Sequence, residues 1–158
     1  MSEKVSSQGL FCVAASIEIQ AAPEIIFEFL ATPSRHSLFD GSGSVLGLDQ
    51  GPKRLYLNAR FGMKMRILVP YRIENQVIEF VEGEKIAWRH YGRHVWSYQL
   101  EPVGDGSTRV TESFEWSQAR GRFLYELLNY PKSNYQAIVK TLERLKSLCE
   151  ASTIHNEV

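Results

Sequence analysis

The chain has 158 residues, with eighteen Lys and Arg balancing eighteen Asp and Glu, a size that a single domain over 1–158 accommodates without metal or disulfide staples. Zero net charge leaves no global field to draw it onto nucleic acid or an acidic membrane surface, and nucleic acid is set aside as a partner. Cys12 and Cys149 match neither a disulfide framework nor a paired zinc spacing and read as reduced thiols of a cytoplasmic protein; residues 1–9 lack the apolar run of a signal peptide, and no stretch of about 18 apolar residues predicts a membrane span.

From 11 to 19, Phe11, Val13, Ala15, Ile17 and Ile19 alternate with Cys12, Ala14, Ser16 and Glu18, the two-residue period of a half-buried strand. Ala22-Pro23-Glu24 places proline and an acid where a helix begins, Ile26, Phe29 and Leu30 form its buried stripe, and Thr32-Pro33 interrupts it. A second short helix is expected over 33–38. After the turn cluster Asp40-Gly41-Ser42-Gly43, β-rich segments alternate with turns at Gly51-Pro52, Glu82-Gly83, Tyr91-Gly92 and Gly104-Asp105-Gly106. That pattern predicts antiparallel hairpins, with strands over 44–49, 54–60, 65–80, 85–90, 94–103 and 108–116. Beyond Trp116 the period turns helical: Phe123, Leu124, Leu127 and Leu128 form one stripe, and Tyr135, Ile138, Val139, Leu142, Leu145 and Cys149 a second. Pro131 lies between them and either kinks one helix or starts a new one, and the tail over 151–158 is expected to fray.

The expected class is therefore α+β. A strand, two short helices, six strands and a long C-terminal helix follow the order of the helix-grip fold, in which a curved antiparallel sheet wraps around that helix. The chain resembles the START-like superfamily, which includes Bet v 1-type allergens, polyketide cyclases, coenzyme Q-binding proteins and lipid-transfer domains. The residues that carry the resemblance are Ile17, Ile19, Ala22-Pro23, Ile26-Phe27 and Phe29-Leu30, then Ile86-Ala87-Trp88 and Trp96-Ser97-Tyr98, then Thr108-Arg109-Val110-Thr111-Glu112. The resemblance implies a cavity between sheet and helix for sterols, lipids, hormones or aromatic polyketides, but no shared catalytic motif and no cofactor. The two-histidine and carboxylate iron motif of ring-hydroxylating dioxygenases is absent around His36.

Strand parity puts Ile86, Trp88 and His90 on one face, with His94, Trp96, Tyr98 and Leu100 in the next row and Val110, Glu112, Phe114 and Trp116 in the third. If these rows face inward, His90, His94, Tyr98 and Glu112 stand among aromatics on the concave side, and polar groups there require partners or a ligand. Candidate ligand-binding residues are accordingly Trp88, His90, His94, Trp96, Tyr98, Glu112 and Phe114, with Tyr135 on the closing helix; Glu112 and Tyr98 are also the catalytic candidates. Each has a structural alternative: Glu112 as a hydrogen-bonded structural carboxylate, the aromatics and Tyr135 as core filling, and the histidines as groups at an exposed sheet mouth.

A three-residue loop at Tyr91-Gly92-Arg93 places His90 opposite His94, but no third ligand is evident, so no metal site is assigned. Tyr98 should pair with Glu112, which leaves Glu112 about 13 Å along the sheet from His94 and disfavours a His–Glu dyad. Arg54, Arg60, Lys64, Arg66 and Arg72 suggest either an anion or headgroup at one rim or an ordinary solvated strand edge. Gly41-Ser42-Gly43-Ser44 has neither a nucleophile-elbow nor a P-loop spacing. Three functions follow: binding of a hydrophobic or aromatic small molecule, an enzyme of the cyclase or dehydratase kind, and a protein-interaction module whose pocket is vestigial or fully packed.

Overall fold

The computed structural model describes residues 11–121, 124, 127–128 and 130–155. Among them, seven strands form one antiparallel sheet: β1 (Cys12–Ile19), β2 (Val45–Gln50), β3 (Arg60–Arg66), β4 (Pro70–Val81), β5 (Lys85–His90), β6 (Val95–Gly104) and β7 (Ser107–Glu115). They lie in the order β1-β7-β6-β5-β4-β3-β2. Between β1 and β2 come α1 (Pro23–Ala31), a 3₁₀ turn (Pro33–Arg35) and α2 (His36–Phe39); α3 (Tyr130–His155) follows the sheet. The α+β helix-grip expectation is met.

Local sequence explains most of these elements. Pro23 begins α1 with its ring φ already helical, Glu24 sits in the first turn, and Thr32 turns extended ahead of Pro33, where α1 stops. Helix α1 buries Ile26, Phe27, Phe29, Leu30 and Ala31, while α3 buries Ile138, Leu142, Leu145 and Cys149 at three- and four-residue spacing. These two stripes and Ile19 and Val110 of the sheet belong to one hydrophobic cluster. Pro131 is the second residue of α3, where its missing N–H leaves no broken helical bond, so it starts the helix.

Four expectations fail. The strand expected over 54–60 is a loop: Asn58 is left-handed at φ 68°, and Leu55 turns inward as its N–H bonds to the carbonyl of Ala31. The strand expected over 65–80 is split, because Ile67, Leu68 and Val69 form the exposed tip of the β3–β4 hairpin and Pro70 opens β4. Leu124, Leu127 and Leu128 are exposed and form no buried stripe; Phe123 of the same stripe lies outside the described residues. Helix α3 also continues through 151–155 rather than fraying from 151, while 156–158 lie outside the described residues. Among the described residues, no helix is long and apolar enough to cross a membrane.

Candidate functional site

A cavity of about 360 Å³ opens between the concave face and the helices. Its sheet wall carries Phe61 and Met63 from β3, Ile73 and Asn75 from β4, Trp88 and His90 from β5, His94, Trp96 and Tyr98 from the β6 arm, and Glu112 and Phe114 from β7. Its roof carries His36, Phe39 and Asp40 from α2 and the turn after it, and Asn134, Ala137 and Thr141 from α3. The roof is tied together where the Gly41 N–H donates to the Thr141 hydroxyl at 2.9 Å. A Cβ on Gly41 would lie 2.3 Å from the Ala137 carbonyl oxygen, so only glycine permits this approach.

Register brings Tyr98 opposite Glu112, as the hairpin spacing predicts. The phenol donates to Glu112 Oε1 at 2.8 Å. Glu112 is 2% exposed, and its Oε2 has no hydrogen-bond partner among the described residues. Burial drives the Glu112 carboxyl well above the usual range; the bond from Tyr98 opposes that shift and Asp40 adds to it. Burial, with Glu112 beside it, also raises Tyr98. The pair therefore favours a neutral phenol bonded to a protonated acid, whose remaining oxygen carries an O–H donor in the cavity wall.

The histidines order themselves. Arg93 takes φ 65° at the third loop position, and its N–H bonds to the His90 carbonyl, closing a three-residue hairpin turn. The Gly92 N–H donates to His90 Nδ1 at 3.1 Å. His90 consequently carries its proton on Nε2 and donates to His94 Nδ1 at 2.5 Å, which puts the His94 proton on Nε2. His94 stacks on Phe114 at 5.6 Å and 16°. It is 3% exposed, so the alternative of histidines at an exposed sheet mouth fails for His94, while His90 is half-buried. The reason is Gly92, where a Cβ would stand 2.6 Å from His94 Cε1: the bare turn lets the ring fold inward beneath it. Burial lowers both histidines, and His90 lowers His94 further, to about 4.

Of the sequence-derived candidates, Trp88, His90, His94, Trp96, Tyr98, Glu112 and Phe114 line the cavity. Tyr135 does not. At about 100° per residue, Asn134, Ala137 and Thr141 turn toward the cavity while Tyr135 joins Ile138 and Leu142 against the core. The sequence reading passed over His36, Asp40 and Asn75. His36 Nε2 donates to the Leu30 carbonyl at 2.8 Å, its ring stacks on Trp88 at 5.1 Å, and burial lowers its pKa to about 4. Asn75 is a buried polar residue between Ile73 and Val77 on β4, the same signal that marks Glu112. Of the basic group, Arg54 pairs with Glu28 and Glu82, Arg60 with Glu74, and Lys64 and Arg72 with Asp49, while Arg66 has no ion pair among the described residues.

Residues 11–150 match the family described as polyketide cyclase / dehydrase and lipid transport. The chain belongs to that family. Within it, the chain is similar to Uncharacterized protein Rv0088 of Mycobacterium tuberculosis (strain ATCC 25618 / H37Rv), at 35% identity over 138 residues covering 84% of this chain and 62% of that protein. It thus spans less than two thirds of that relative's length. The fold is shared with protein NE0264 from Nitrosomonas europaea (TM-score 0.71, 11% identity, 91% of this chain and 97% of that one). It is shared as well with the Polyketide_cyc-like protein Cgl2372 from Corynebacterium glutamicum (TM-score 0.62, 18% identity, 91% and 94%). Membership of the polyketide cyclase / dehydrase and lipid transport family is typical of hydrophobic-ligand binding and names no ligand.

Proposed function

We propose that this chain binds a neutral hydrophobic or aromatic small molecule, lipid-, quinone- or polyketide-like, in the cavity between sheet and α3. The observation that carries the proposal is an aromatic-walled space lined by Glu112, a buried carboxyl with one oxygen unpartnered among the described residues. Trp88, Trp96 and Phe114 offer flat apolar area, and the protonated Glu112 offers one donor to a carbonyl or hydroxyl oxygen. A ligand carboxylate would instead meet an acid with Asp40 beside it. Two free cysteines, Cys12 and Cys149, accord with the cytoplasmic setting proposed for this binding.

Native mass spectrometry against lipids, quinones and polycyclic aromatics tests the proposal. The expected outcome is an adduct lost on denaturation and weakened about tenfold by Glu112→Leu, which removes the donor. A chain that captures none of these compounds contradicts the proposal.

The Tyr98–Glu112 bond favours a second reading, a cyclase or dehydratase in which the pair delivers a proton to a substrate carbonyl. Its signature is a Glu112→Gln variant that keeps its affinity and loses turnover by about a hundredfold or more; a variant altered only in affinity excludes it. The interaction-module reading, with a vestigial or fully packed pocket, would be favoured by a solid interior, and the cavity does not supply that support.

A further inference from the structure

The β3–β4 hairpin ends in three consecutive exposed apolar residues, Ile67, Leu68 and Val69, at 64%, 93% and 68% exposure. Folded chains rarely leave such a run in water without a use for it. The hairpin also overhangs the sheet on its β5 side, while β2 follows β3 as far as the Val45–Met65 pair. Asn75 pairs with His90 at the end of β5, so the five residues back to Pro70 overhang that strand by about 17 Å. Ile67 and Tyr71 line the cavity as well, so tip and pocket mouth are one continuous surface.

The charge around the tip has one sign in excess. Lys64, Arg66 and Arg72 flank it, all exposed. Asp49 is shared by Lys64 and Arg72, and Arg66 has no ion pair among the described residues. Strand register places the β5–β6 turn, with exposed Tyr91 and Arg93, at the same end of the sheet.

We propose that the Ile67-Leu68-Val69 tip with its basic flank docks on an anionic phospholipid surface and presents the pocket mouth to it. Apolar residues at the point and cations set back from it match the order of acyl chain and phosphate met on approaching a bilayer. The zero net charge of the whole chain does not oppose this, because screening limits the relevant field to charges within a Debye length of the surface. Docking rests on this surface and not on an occupied cavity.

Vesicle flotation tests the proposal, with phosphatidylcholine alone and with phosphatidylcholine containing about 30 mol % phosphatidylglycerol. The expected result is binding to the anionic vesicles, reduced by salt and lowered at least about tenfold by Leu68→Asp and by the double variant Arg66→Glu/Arg72→Glu. These positions are exposed, and circular dichroism checks that each variant folds. Failure to bind anionic vesicles, or binding unchanged in Leu68→Asp, overturns the proposal. A dimer in solution that Leu68→Asp abolishes, without vesicle binding by the wild type, assigns the tip to a second copy and overturns it too. Native mass spectra of Leu68→Asp keep the two proposals separable, since a pocket ligand should still be captured.

Discussion

The concave face of one sheet is used in two opposite ways. Toward its Ile19–Val110 end it meets α1 and the Ile138, Leu142 and Leu145 stripe of α3 and is filled; there a buried polar group such as Thr108 is answered directly, by the Ala21 carbonyl at 2.8 Å. Toward its His90–His94 end, among the described residues, it meets a four-residue α2 and the small or polar Ala137, Thr141 and Asn134, which leave the cavity between them. In that half, burial favours the neutral form of the polar groups: it lowers His36 and His94 to about 4 and raises Glu112. A cavity in this fold thus arises where the roof is short of side-chain volume, and its polar lining persists by surrendering charge.

Truncation should separate the two halves most strongly. Leu142→Ala is expected to cost about 2–5 kcal/mol in urea denaturation. Met63→Ala, whose side chain already borders the cavity, should cost clearly less, because part of its surroundings is empty beforehand. Equal losses would mean that the open half is packed as tightly as the filled one.

Acid should expose the neutral groups. With folded values near 4 against 6.5 when unfolded, His36 and His94 make the unfolded chain the first to bind protons. Stability then falls as pH drops from about 6.5 to 4, by about 3 kcal/mol for each at full extent. Glu112 acts in the opposite sense: its raised folded value lets the folded chain take the proton first, so stability rises as pH falls toward 4.5. Glu112→Gln removes that offset, and its stability, followed by urea denaturation at a series of pH values, should fall more steeply than the wild type's as pH drops toward 4.5. Parallel pH profiles would show that Glu112 is ionised in the fold.

The smallest expected effect lies at the join between halves. Gly41→Ala forces a Cβ against the α3 backbone and should cost about 1–3 kcal/mol, measured by thermal unfolding. Any pocket ligand should also dissociate faster, because the strained contact holds the roof.

Legibility followed the kind of signal available. Period-two rows, hairpin lengths and the α3 stripe are local patterns, so β5, β6 and β7, the Tyr98–Glu112 pairing and the His90–His94 juxtaposition were all readable. The loop over 51–59 was not, since Leu55 and Ala59 copy a strand's alternation while Leu55 bonds to α1. Ile67-Leu68-Val69 misled in the other direction: apolar residues imply burial only when a partner surface covers them.

Sequence alone determined the α+β class, the inward rows of the last three strands and the concentration of Trp88, Trp96, Tyr98, Glu112 and Phe114 on one face, because each depends on spacing along the chain. Only the tertiary structure decided that α3 turns Ala137 rather than Tyr135 toward the cavity, that His36 crosses over to stack on Trp88, and that Glu112 Oε2 has no hydrogen-bond partner among the described residues. Those outcomes depend on which surfaces meet across the fold, and the volume left between them is a property of no single segment.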